Sequence, residues 1–130
     1  MLIISARRSM LLRARKTALN ALANYKIDTK NLKLLEVSDS IAYRVSTGAG
    51  ESYLLRQHQN PNLNSIAISS ELSWLEFLHR KNFNSPQGIT NLEQSFVTEV
   101  AVSSESKLLC TLMSWLPGRT RQERISLAPV

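Results

Sequence analysis

Along residues 53–58 the chain reads YLLRQH, and a period of two places Leu54, Arg56 and His58 on one side of an extended strand. Asn60, Pro61, Asn62 and Asn64 follow, a cluster of turn-forming residues that ends the run. From Ile66 to Lys81 the period becomes helical, with Ile68, Leu72, Leu75 and Leu78 on one side and Ser69, Ser73, Glu76 and Arg80 on the other. At about 100° per residue, Glu71 projects between Leu75 and Leu78, near the middle of the apolar arc. Burying an unpaired carboxylate costs several kcal/mol, so the pattern calls for a cation. Arg56 on the preceding strand is the partner at hand, because a guanidinium grips a carboxylate with two hydrogen bonds. The alternative is that Glu71 lies at the edge of the stripe and is solvated.

The same patterns extend along the chain. Ser9 is placed to cap a helix running to about Tyr25, with Leu12, Ala18, Leu19 and Leu22 among its apolar positions. Asn31–Val37 and Ile41–Thr47 read as strands joined by Ser38, Asp39 and Ser40, and Gly48, Ala49 and Gly50 make the turn into the Arg56 strand. Residues 82–88, with Pro86 and Gly88, read as a loop. Gln94–Val102 and Lys107–Leu116 are two further strands around a turn at residues 103–106. The expected fold class is α+β: a five-stranded antiparallel sheet with a packed helix and a leading N-terminal helix.

With 130 residues and 43% hydrophobic content, the chain suits a single domain burying about two-thirds of its unfolded surface. The single cysteine, Cys110, excludes an internal disulfide framework and a cysteine metal cluster, and sits in an apolar run as a small buried residue. No apolar stretch approaches the ~18 residues of a membrane span, and Leu2–Ile4 is too short for a signal-peptide core, so the expectation is a cytoplasmic protein with no membrane partner.

The net charge of +6 sits at the ends: residues 1–27 hold six basic groups and no acid, whereas residues 28–117 hold seven basic and nine acidic groups. A basic amphipathic helix at residues 1–27 is open to two readings, a leading helix packed on the sheet or a module engaging an anionic partner. The aromatic interleaving that favours nucleic-acid binding is missing from it, so nucleic acid is not the expected partner.

A strand carrying a basic residue, followed by a helix carrying a glutamate, resembles the nucleotide-binding lobe of the kinase fold. The wording is most similar to the aminoglycoside phosphotransferase and choline kinase superfamily of small-molecule kinases. Four blocks carry the resemblance: ALANY (21–25), VSDSIAYRVST (37–47), YLLRQH with SELSWLEFL (70–78), and LMSWLPGR (112–119). It implies ATP as the nucleotide, with Ser38, Asp39 and Ser40 as the phosphate-covering loop. That loop lacks the glycines of the protein kinases, and an Asp39 facing phosphate would repel it. Val45 and Leu54 would roof the adenine, Arg56 would touch the phosphates while Glu71 holds it, Met113 would lie at the back of the pocket, and backbone groups of Ser114 and Leu116 would bond the adenine edge. Arginine at position 56 in place of the lysine of protein kinases agrees with the choline-kinase-like branch.

The resemblance also implies a division of the chain: residues 1–27 a basic leading helix, 28–118 the nucleotide-binding lobe, and 119–130 a basic tail. Phosphoryl transfer in this fold needs aspartates for base and magnesium roles from a second lobe, and this sequence holds only Asp28 and Asp39, both before the third strand. The expectation is a truncated or split ATP-dependent small-molecule kinase, inactive alone and binding ATP weakly, with no catalytic or metal-binding residue of its own. Magnesium would enter only with the complete second lobe. A separately encoded lobe, or self-association through an apolar surface around Met113, Trp115 and Leu116, would supply the partner. The alternative is a non-catalytic interaction module or a basic-helix nucleic-acid binder.

Overall fold

The computed structural model describes residues 2–59, 65–81, 86–104 and 106–115. Eight elements follow in order: α1 (Leu2–Leu22), β1 (Thr29–Val37), β2 (Ser40–Thr47), β3 (Ser52–His58), α2 (Ser65–Arg80), β4 (Gly88–Ile89), β5 (Thr98–Ala101) and β6 (Lys107–Ser114). The six strands form one antiparallel sheet in the order β1-β2-β3-β6-β4, with β5 also paired to β6. The outer edge of β6 is shared, since Lys107–Cys110 pair with β5 and Leu112–Met113 with β4.

Alternation along the central strands gives the sheet two apolar faces, each covered by one helix. Ile41, Tyr43, Val45, Leu55, Cys110 and Leu112 face α1, where Ala14, Ala18 and Ala21 bring the helix close. Ala42, Leu54 and Met113 belong to the other face, in a cluster with Ile68, Leu72 and Leu75 of α2. The leading helix thus packs on the sheet, with Leu12 and Leu19 exposed on its outer side. One of its cations is used in the packing: Arg15 donates from Nη1 to the Leu32 carbonyl at 2.8 Å.

Tyr25, the last residue of the ALANY block, ties the turn after α1 to β5. Its hydroxyl accepts from Thr98 Oγ1 at 2.9 Å in a buried bond, and burial pushes its pKa up to about 12. The chain departs from the sequence reading in several places. Helix α1 begins at Leu2, so Ser9 lies inside it and does not cap it. A sixth strand, β4, occupies the end of the expected loop, and its two residues are too few to show a period. Strand β5 is shorter than expected because residues 91–94 make a turn: Asn91 Oδ1 accepts from the Glu93 and Ser95 amides, and Gln94 takes φ 63°.

Candidate functional site

The face turned toward α2 brings Arg56 between two short neighbours. Register pairs it with Ala42 on β2 and Thr111 on β6, and pairs Leu54 with Arg44 and Met113. Arg56 is half-buried, and its Nε is buried with no hydrogen-bond partner. Two residues on, His58 shares this face and brings its Nε2 within 3.1 Å of the buried Thr111 Oγ1. Burial, reinforced by the Arg56 charge, lowers the His58 pKa to about 4, so the ring is neutral at pH 7. Toward the other end of the strands, the Arg44 guanidinium lies 4.5 Å from the centroid of the Trp115 ring and also donates to Ser52 Oγ at 3.2 Å.

The expected pairing of Arg56 with Glu71 is not formed: among the described residues no hydrogen bond or ion pair joins them. The reason lies in where the helix rests. Of the strands, α2 comes closest to β4, with the Leu72 side chain packed against Gly88, and β4 is two strands away from β3. Glu71 is half-buried on the helix, as its place on the apolar arc implied, but it makes no bond to Arg56, whose Nε stays unpartnered.

Val45 also falls elsewhere than expected. It pairs with Tyr53 and is fully buried on the α1 side, opposite to Leu54 and Arg56. It therefore cannot roof a ring that Leu54 also roofs; Ala42, which the sequence reading passed over, is the β2 residue on the Leu54 face. Carrying the period of two across the turn at residues 48–51 would have found it, had the register of that turn been legible.

Ser38 and Asp39 form the β1–β2 connection, and Ser40 opens β2 opposite His58. The Ser38 amide donates to the Ser40 carbonyl at 2.9 Å, and the Asp39 carbonyl accepts from the Gln59 amide at 3.0 Å, which ties the turn to the end of β3. Ser38 and Asp39 are exposed, and Glu36 Oε2 lies 3.5 Å from the Ser38 hydroxyl. Met113 is buried next to Leu54, so it is not part of an exposed docking surface, and Trp115 is half-buried. Ser114 is held by residue 87: its amide donates to the Gln87 carbonyl at 2.8 Å and its hydroxyl accepts from the Gln87 amide at 2.9 Å. Leu116 lies outside the described residues. Ala42, Leu54, Arg56 and Met113 are therefore brought together, with Ser114 at the end of the Met113 strand, whereas Glu71 is separate and Val45 is on the other face.

Among the described residues no helix is long and apolar enough to cross a membrane. No protein-family model matches the chain, and no curated protein matches it. Solved structures do. A microcompartment-associated aminopropanol kinase superposes with a TM-score of 0.67 at 24% identity, covering 80% of this chain and 32% of the kinase. The amicoumacin kinase hAmiN, solved in complex with AMP-PNP, Ca2+ and Ami, superposes with a TM-score of 0.71 at 15% identity, covering 86% of this chain and 34% of its own. The chain thus spans about a third of the length of either protein. At these identities the likeness is one of fold, and the fold is that of about a third of each of these two kinases.

Proposed function

We propose that these residues form the nucleotide-binding half of an ATP-dependent small-molecule kinase. The observation that carries this reading is the orphaned Nε of Arg56 on the face shared with Leu54 and Met113. A buried donor without an acceptor costs about 1–3 kcal/mol, and a phosphate oxygen is an acceptor that offsets that cost with a charge-assisted bond. The likeness in fold to a kinase solved with AMP-PNP supports a nucleotide as the source of that oxygen.

In this reading Leu54 and Ala42 roof the adenine and Met113 backs it. The Ser38–Ser40 turn covers the phosphates, with Arg56 on their oxygens. Asp39 and Glu36 near that turn oppose phosphate through like charge, which keeps affinity low until a cation is present. Bound ATP supplies the phosphoryl group for a hydroxyl acceptor. The base for that hydroxyl and the magnesium ligands belong to a second lobe, in the same polypeptide or in a partner, and these 130 residues alone are not expected to turn over.

Amide chemical-shift mapping with AMP-PNP tests the placement. Saturable shifts centred on Ala42, Leu54, Arg56 and Thr111 are the expected result. Shifts confined to the α1 face, or none at all, overturn it.

A further inference from the structure

The sheet's other face holds a second polar anomaly, Gln57. It lies between Arg56 and His58 on β3 but points the opposite way, into the α1 side, where it is 1% exposed and its Oε1 has no hydrogen-bond partner. Gln57 helps to line an open cleft of about 610 Å3 between α1 and the β3, β6 and β5 side of the sheet. That volume lies within the ~300–1,000 Å3 typical of small-molecule sites. Met10 and Leu108 give the cleft an apolar wall, and the buried Thr17 adds a hydroxyl. Among the described residues, Arg13 and Lys16 are its only charged lining residues, and both are cationic.

We propose that this cleft binds a small organic anion that also carries a hydroxyl group. The anion is held by Arg13 and Lys16 from α1, and the hydroxyl bonds the Gln57 amide. A hydroxyl both donates and accepts, so it serves the amide in either orientation, which an ammonium group or a second anion does not. An apolar ligand would leave both the unpartnered Oε1 and the two cations without a counterpart, and is disfavoured for that reason. The site lies across the sheet from Arg56, so it is independent of the nucleotide reading and stands or falls separately.

The test uses the full chain and glycerol 3-phosphate as the probe, with glycerol and inorganic phosphate as the partial ligands. Expected are saturable amide shifts at Thr17, Gln57 and Leu108, with glycerol 3-phosphate bound more tightly than either partial ligand. The double variant Arg13→Ala/Lys16→Ala, altered only at exposed helix positions, weakens that binding by at least ~10-fold. Gln57→Leu removes the preference for glycerol 3-phosphate over inorganic phosphate. Three results overturn the proposal: no saturable shift in these residues, equal binding of glycerol 3-phosphate and phosphate by the natural chain, or undiminished binding in the double variant. Should Gln57→Leu not fold, the comparison of the three probes and the double variant still decide it.

Discussion

His58 Nε2 lies 3.1 Å from Thr111 Oγ1 across the β3–β6 pair, two residues along the same face from Arg56. The ring is neutral because burial and the Arg56 charge lower its pKa from 6.5 to about 4. The unfolded chain therefore takes up a proton on this histidine before the folded chain does. Its contribution to stability is complete above pH 6.5 and is lost as pH falls toward 4, by up to about 3 kcal/mol. Urea unfolding at pH 7.5, 6 and 5 checks this: the natural chain should weaken over that range more than His58→Gln, which has no titrating ring. Parallel pH profiles for the two proteins would contradict it.

The Tyr25 hydroxyl is buried and bonded to Thr98 Oγ1, which also accepts from Asn91 Nδ2 at 3.0 Å. Tyr25→Phe keeps the ring in the core and deletes one bond, leaving Thr98 with Asn91 alone. The expected cost is about 1–2 kcal/mol, read as a lower urea midpoint at unchanged m-value. An unchanged midpoint would show that the link between the end of α1 and β5 contributes nothing.

Gly88 is where α2 reaches the sheet. A Cβ there would stand 3.3 Å from Leu72 Cβ and 3.1 Å from a Phe96 ring carbon. Both neighbours are packed in the α2 cluster, so Gly88→Val forces a shift of the helix or the ring and should cost about 1–3 kcal/mol. Thermal unfolding of this variant should fall by several degrees. A Tm at or above that of the natural chain would mean that the helix is not seated on β4 as described.

The sequence made some of this legible and hid the rest for physical reasons. Period two along β3 put Leu54, Arg56 and His58 on one face, and the structure has them there. The helical stripe of α2 was equally readable, since Ile68, Leu72 and Leu75 are its buried residues. Register across a turn was not: Val45 and Leu54 both look inward, yet the turn with Gly50 at φ 87° pairs Val45 with Tyr53 and sends it to the other face. The lateral position of a helix on a sheet is not encoded in its period, so the stripe that placed Glu71 on the apolar arc could not say that α2 packs mainly against β4. Gln57 gave no sequence signal at all, because a polar residue alternating with Arg56 and His58 looks like a solvated position.

The most direct test of the central claim is the affinity of the chain for ATP and for adenosine, measured by calorimetry on the natural protein and on Arg56→Ala. Losing one charge-assisted contact to phosphate should weaken ATP by about 10-fold or more while leaving adenosine, which has no phosphate, unchanged. Equal affinity of the two proteins for ATP, or an equal loss for ATP and adenosine, would contradict the assignment of the unpartnered Arg56 donor to a nucleotide phosphate.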